Sequence, residues 1–467
     1  MIQVAFSNAE VSEIVENGLI RSFTRGQVTS NQAHDCLIHA GDSPADRYGK
    51  QIVFGKKPPL APTHTYVTIG RIDESNIIFD NHVLTQNLGL KVRAFERYDF
   101  GKEWNNLGYG KISPISDPIW GLCDPGLTEY CGIFQSEHQS ILWFNRPVGP
   151  IDGFDWRIIE DFISCYRPED RITLPVLSEI PAGFSAASTF RIDCDESIAS
   201  GRELYELYRK YGFPFSLAIK TEQDFSADAT ALIQEVISSG GSILIHSHTH
   251  APEWGEPSSR AGPKSRGDAF FEASTALSEL RSRFPDAVNS YAVSPFHQNP
   301  RAALPKLLKA GIDGFVGGII CNDPEFLLAR GGQVPFCEGM ISHSEQCMFH
   351  GDCIHPHGDS LEIYDLALEN AVRTHTFFGY LDHPFSNYHY GWRSESARLD
   401  AHERFLKKIN SIPGMVKLST RDSLDFFHDR SIARIRIENG IPCIHWEGNR
   451  RSRLGMKVRW KGGELNT

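Results

Sequence analysis

The run Ser242-Ile243-Leu244-Ile245-His246-Ser247-His248-Thr249-His250 is apolar and β-branched at its start and ends in three histidines and two hydroxyls. It reads as a buried strand entering a polar loop, which is where α/β folds place their chemistry. His246 and His250 are four apart, so one tightly wound turn brings both imidazoles to the same side. Imidazole suits zinc and other borderline metals, yet two histidines leave a site short of at least one protein ligand. Other strand ends supply candidates. In Asp193-Cys194-Asp195 an extended chain turns both carboxylates to one side and Cys194 into the wall. Ser294-Pro295-Phe296-His297 and Leu381-Asp382-His383-Pro384 end two further strands. A hydrolytic zinc site needs three protein ligands, an open position, a base and an acid. The chain offers one carboxylate and two histidines for the metal, a second carboxylate for the base and His383 for the acid.

The elements that position these residues begin near residue 180. Strand patterns at 188–193, 215–220, 242–246, 289–293, 314–317, 376–381 and 415–418 alternate with helical patterns at 202–211, 227–238, 270–284, 302–310, 362–373, 394–410 and 423–428. About seven strands alternating with helices over roughly 245 residues is the rhythm of a (β/α) barrel. Before it, Thr65–Ile69, Lys91–Phe95 and Ser140–Phe144 read as strands, the stretch 101–125 as a loop, and 153–165 as a helix with Ile159 and Phe162 on one face. After it, Arg434–Ile437 and Cys443–Trp446 flank the turn Glu438-Asn439-Gly440 as a hairpin, with a further strand near Val458 and Trp460. The expected division is an N-terminal α/β domain over 1–178, a barrel over 179–430 and a small β appendage over 431–467.

The order of motifs resembles the polysaccharide deacetylase family, the NodB-homology or carbohydrate esterase family 4 deacetylases, over roughly residues 185 to 430. The aspartate motif after a Thr-Phe strand is matched by Thr189-Phe190-Arg191-Ile192-Asp193-Cys194-Asp195, and His-Ser/Thr-x-x-His by His246 to His250. Leu-x-His is matched by Leu381-Asp382-His383, whereas Arg-x-Pro-Tyr/Phe is half matched by Val293-Ser294-Pro295-Phe296. The resemblance implies an α/β fold with a distorted (β/α) barrel of the polysaccharide deacetylase type. It implies Asp195, His246 and His250 as metal ligands, Asp193 as general base and His383 as the acid that protonates the leaving amine near pH 7. The backbone N–H of Phe296, after Pro295, would help hold the oxyanion. Two positions depart from the pattern. Cys194 separates aspartates that are usually adjacent, giving an Asp-x-Asp variant. Val293 stands where an arginine normally orients the base, which leaves Arg191 or Arg393 to do so.

The remaining clusters read more plainly. Cys347, His350, Cys353, His355 and His357, with Cys337 and His343 nearby, are dense enough to bind zinc but lack paired two-residue knuckles. They read as a long loop over the active face with its cysteines turned inward. His248 reads as a loop residue and His297 as a cleft or surface residue. Trp254 and Trp392 are the candidate cleft walls for a sugar ring, alongside Tyr388 and Tyr390. A net charge of −11 in 467 residues argues against general nucleic-acid binding. No run of about 18 apolar residues provides an integral membrane segment. The first residues lack a secretory signal, and ten scattered cysteines fit reduced thiols, so a cytoplasmic location is expected. The expected activity is metal-dependent removal of N-acetyl groups from an amino-sugar polysaccharide or oligosaccharide precursor, with zinc as cofactor and an N-acetylated glycan as partner. Hydrolysis of a non-sugar C–N amide, or glycan binding without turnover, are the alternatives.

Overall fold

The computed structural model describes residues 4–6, 36–40, 49–54, 65–73, 127–135, 138–144 and 153–466, the last stretch except 253, 256–266, 286, 298, 300–301, 319–329, 335–336, 356–357 and 387–389. The expected strand at 91–95, the loop at 101–125, Tyr388 and His357 lie outside the described residues. The N-terminal strands β1 (Val4–Phe6), β2 (Cys36–Ala40), β3 (Lys50–Phe54), β4 (Thr65–Asp73), β5 (Leu127–Gln135) and β6 (Ser140–Phe144) form one sheet in the order β1-β2-β3-β6-β5-β4. β1, β2, β3 and β6 run parallel, and β5 and β4 add antiparallel. Helix α1 (Gly153–Ser164) follows, and the buried Lys50 ammonium donates to the Phe162 carbonyl at 2.8 Å. A cation there satisfies a terminal carbonyl and opposes the negative end of the helix dipole.

The second sheet carries the chemistry. After β7 (Val176–Leu177) come β8 (Ala186–Cys194), α2 (Arg202–Lys210), β9 (Ser216–Ile219), α3 (Ala227–Ser238), β10 (Ser242–Ile245), α4 (Ala269–Arg283), β11 (Val288–Val293), α5 (Leu304–Ala310), β12 (Gly314–Gly318), β13 (Gly332–Gln333), β14 (Ile341–Glu345), β15 (Cys347–Met348), α6 (Gly351–Ile354), α7 (Glu362–Thr374), β16 (Phe378–Asp382), α8 (Glu395–Asn410), β17 (Met415–Leu418) and α9 (Thr420–Ile432). The order is β13-β14-β12-β11-β10-β9-β8-β16-β15, with β17 against the first half of β8. All pairs are parallel except β13 with β14. This is a mixed α/β fold with a largely parallel sheet. Every residue of β8, β9, β10 and β16 is buried, as expected of parallel strands covered on both faces. Ser226, Asp268, Ser394 and Ser419 accept N–H bonds at the starts of α3, α4, α8 and α9. Each such cap is worth about 1 kcal/mol.

One strand pair escapes the sequence reading. Ile341–Met348, expected as part of a long loop, pairs with β12 through β14 and with β16 through β15, with Gln346 alone between them. The Gln346 N–H donates to the Gly379 carbonyl at 2.8 Å, and its side-chain oxygen accepts from the Gly379 N–H at 2.6 Å. A Cβ at Gly379 would meet Glu345 Cγ at 2.7 Å, so glycine is what lets β14 approach β16. The segment is polar because its side chains satisfy buried partners: His343 meets Ser423, and Glu345 meets Arg191.

The last strands are β18 (Ala433–Glu438), β19 (Ile441–Trp446), β20 (Lys457–Trp460) and β21 (Gly463–Asn466). β18 and β19 form the expected hairpin, with Asn439 and Gly440 both at positive φ as a two-residue turn of this kind requires. β20 pairs with β7, and Met456 and Val458 pack with Leu177, Ala187, Phe426 and Phe427. A buried charge cluster joins these parts. Arg330 meets Glu160 of α1 at 2.9 and 3.1 Å and Glu179 at 3.3 Å, and Arg459 of β20 pairs with the same Glu160. Removing one partner from a buried ionic cluster leaves charge without its counter-charge. Arg330→Met is therefore expected to lower unfolding stability by about 3–5 kcal/mol in a urea titration.

Candidate functional site

The site is built at the end of β8. Arg191, Asp193 and Asp195 face one side, while Cys194 is fully buried in the hydrophobic core on the other. The Arg191 guanidinium grips Asp193 with two bonds, Nε to Oδ1 at 2.7 Å and an Nη to Oδ2 at 3.1 Å, and its remaining arm forms an ion pair with Glu345. Of the two arginines proposed to replace the one absent at Val293, Arg191 orients the carboxylate. Arg393 is exposed and bonds Asp359 at 3.2 Å. Burial by itself would raise the Asp193 pKa, but Arg191, His246 and His383 more than offset it and hold the carboxyl well below the usual range. Burial also pushes Glu345 up to about 7, since one guanidinium faces two carboxylates.

The loop after β10 winds tightly, with Ser247 and His250 at positive φ and the His250 N–H bonded to Ser247 Oγ at 2.9 Å. Glu272 of α4, fully buried, holds it from behind. It accepts the N–H groups of His248 and Thr249 at 3.0 and 2.7 Å and the Thr249 hydroxyl at 2.7 Å. The imidazoles of His246 and His250 consequently lie 4.8 Å apart between centroids. Their Nε2 atoms approach Asp195 Oδ1 to 3.0 and 3.6 Å, and one ligand atom from each residue falls within 4.8 Å of the others. That Asp195 oxygen is buried and accepts no hydrogen bond. His246 Nδ1 lies 2.9 Å from the Val293 carbonyl, which can only accept, so Nδ1 carries a proton and Nε2 is the atom turned toward Asp195. One carboxylate oxygen and two imidazole nitrogens, one of them oriented from behind, suit a divalent ion of the zinc or cobalt type.

His383, at the end of β16, completes the ring of groups. Its Nε2 lies 3.5 Å from Asp195 Oδ2, and its Nδ1 lies 2.9 Å from His350 Nε2. Tyr390 stacks on its ring face at 3.6 Å and 11° and donates its hydroxyl to Asp195 Oδ2 at 2.8 Å. The neighbouring Asp382 carboxylate is buried and bonded by Arg398 at 2.9 Å, His402 at 3.0 Å and the Trp392 indole N–H at 3.3 Å. Arg398 also donates to the His383 carbonyl at 2.7 Å. Burial pushes the His383 pKa down to about 3, with His350 adding to it against the pull of Asp195. Burial and His246 lower His250 to about 4.

No protein-family model matches the chain, and no curated protein matches it. Solved structures do. Over 98% of this chain and 92% of the other, the fold is similar to that of Agd3, described as a novel carbohydrate deacetylase, at 9% identity and a TM-score of 0.37. A family 4 acetyl xylan esterase from Clostridium thermocellum, in complex with a cobalt ion, aligns over 51% of this chain and 91% of its own at 13% identity, TM-score 0.32. A family 4 pseudoenzyme from Bacillus anthracis aligns over 52% of this chain and 66% of its own at 11% identity, TM-score 0.32. These are similarities of structure at low identity.

Other expected site residues lie elsewhere. Trp254 and Trp392, expected as cleft walls, are 2% and 6% exposed and belong to the main core, because large rings gain most by burial. Phe296 is the exposed aromatic instead, at 46%, with φ 54° and its ring centroid 4.6 Å from that of His250; Pro295 before it is buried. His248 turns away to Thr221 at 2.9 Å. Of the cysteine–histidine stretch, Cys337, Cys347 and Cys353 are buried in the core as expected, His355 bonds Asp359, and His350 backs His383. Tyr390 and His350 stood out in the sequence only as a loop aromatic and a possible ligand; their partners are 195 and 33 residues away. Because Arg191 serves two buried carboxylates, Arg191→Met is expected to cost about 3–5 kcal/mol of stability by chemical denaturation. Arg191→Lys keeps the charge but not the fork, and should recover part of that loss.

Proposed function

We propose that this chain is a metal-dependent hydrolase that removes N-acetyl groups from an amino-sugar-containing polysaccharide or oligosaccharide, with zinc held by Asp195, His246 and His250. The observation that carries the reading is the convergence of those three ligands within 4.8 Å, with the arginine-gripped Asp193 on the same strand end and His383 Nε2 3.5 Å from Asp195 Oδ2. When bound, the ion supplies Lewis acidity toward water and the amide oxygen. Asp193, ionised and locked in orientation by Arg191, accepts the proton of the attacking water. His383 gives its Nε2 proton to the leaving nitrogen as the C–N bond breaks, the proton released later by Asp193 makes up that loss, and the Phe296 N–H would help hold the oxyanion. The exposed ring of Phe296 beside His250 supports a sugar substrate, since pyranose faces stack on aromatic rings. We further propose that the parallel sheet is a distorted (β/α) barrel closed through the Ile341–Met348 segment, within the domain limits 1–178, 179–430 and 431–467. No helix among the described residues is long and apolar enough to cross a membrane.

Metal content and acetate release from N-acetylhexosamine oligosaccharides, measured side by side, test this. The wild type is expected to hold one metal at this site and release acetate, and His246→Ala to lose both. His383→Ala should keep the metal and lose about 10²–10⁴-fold in kcat. Metal retained in His246→Ala would sink the ligand assignment. Metal binding with no acetate from any oligosaccharide would move the reading to a different amide, or to a binding protein.

A further inference from the structure

The acid position of this site is backed by a second histidine. We infer that His350 is a positioning residue that donates its Nε2–H to His383 Nδ1, fixing His383 in the tautomer whose Nε2–H points into the site. The inference rests on the hydrolase reading for its catalytic consequence, though not for its geometry.

Two imidazoles 2.9 Å apart must have one donor and one acceptor. Three carboxylate contacts decide which. Asp382, fully buried, lies 3.9 Å from His350 Nε2, and a buried anion beside that atom favours an N–H over a lone pair. At the other end of the pair, Asp195 Oδ2 lies 3.5 Å from His383 Nε2 and favours an N–H there too. Both therefore order the protons the same way, from Asp382 through His350 and His383 toward Asp195. Asp352 lies 3.8 Å from His350 Nδ1 and pulls the opposite way, but its side chain is 36% exposed and its field is screened by water. Asp193 is held by Arg191 and adds no competing acceptor on the His350 side.

The surroundings leave the pair little freedom. His350 is 1% exposed, and Tyr390 packs against both rings, at 4.8 Å from His350 and 3.6 Å from His383. Tyr390 holds φ 63° and Gly391 φ 67°, and a Cβ at Gly391 would lie 2.4 Å from the Asp352 backbone nitrogen. The Asp352 N–H donates to the Tyr390 carbonyl at 3.2 Å. The turn that carries His350 and the turn that carries Tyr390 are thus locked together, and both clamp His383. Partners of this kind, one step behind the reacting groups, typically change rate or affinity about 10–100-fold when removed.

The test is ¹⁵N-histidine NMR of the full-length chain, with His383→Gln and His350→Gln for assignment, alongside kinetics of His350→Gln and His350→Leu. The expected spectrum shows His383 protonated at Nε2 and His350 protonated at Nε2. His350→Leu should lower kcat about 10–100-fold with KM and metal content unchanged, and His350→Gln, whose amide can still donate, should return most of it. A His383 proton on Nδ1 in the wild type overturns the inference, as does an unchanged kcat in His350→Leu or a Gln variant no better than Leu. Loss of metal from either variant also overturns it, by making His350 a ligand. If His350→Leu does not fold, the wild-type tautomer and the Gln variant still decide. If no substrate is ever cleaved, the hydrolase reading fails while the tautomer stands or falls on its own spectrum.

Discussion

Arg191 sits where the backbone of the site and its chemistry meet. It is a fully buried cation with two carboxylates around it, Asp193 on its own strand and Glu345 on a strand far later in the chain. A guanidinium so placed has been stripped of water, so it must be paired from both sides, and the pairing fixes both partners. Asp193 is turned toward the site and kept ionised. Glu345 ties β14 to β8 across the sheet, next to the glycine that allows β14 to reach β16. The side chain that orients the site also holds its strands in register.

Asp195, His246 and His250, the candidate ligands, depend on a different kind of support. His246 is set by a backbone carbonyl, and His250 by a loop whose amides converge on the buried Glu272. Neither support belongs to the candidate ligand set itself. A site assembled in advance loses less conformational entropy on binding, which is why such outer partners matter to affinity. His383 follows the same plan, with His350, Tyr390 and the Asp382–Arg398–His402 group around it.

The polar groups buried away from the site do structural work. Arg330 and Arg459 share Glu160, joining α1 to the segment before β13 and to β20. Lys50 reaches from the N-terminal sheet to the last turn of the same helix. Segments distant in sequence are linked by charge as much as by apolar packing.

Local pattern was enough to read most of the strands and helices of 180–430, because their apolar runs are continuous and their boundaries carry capping serines, aspartates and glycines. The same holds for Asp193, Asp195, His246, His250 and His383, which sit at strand ends within motifs only a few residues long. Strand β14 was not legible, since its polar residues break the periodicity and gain their meaning from Arg191 and Ser423, far away in the chain. Trp254 and Trp392 read as cleft walls because burial is a property of neighbours, and their neighbours come from other elements. Which groups back His383 and Asp195 was decided by tertiary contacts across 33 and 195 residues. Hydrogen bonds and ion pairs act over a few ångströms of space, and no periodicity along a chain encodes which distant residues will share that space.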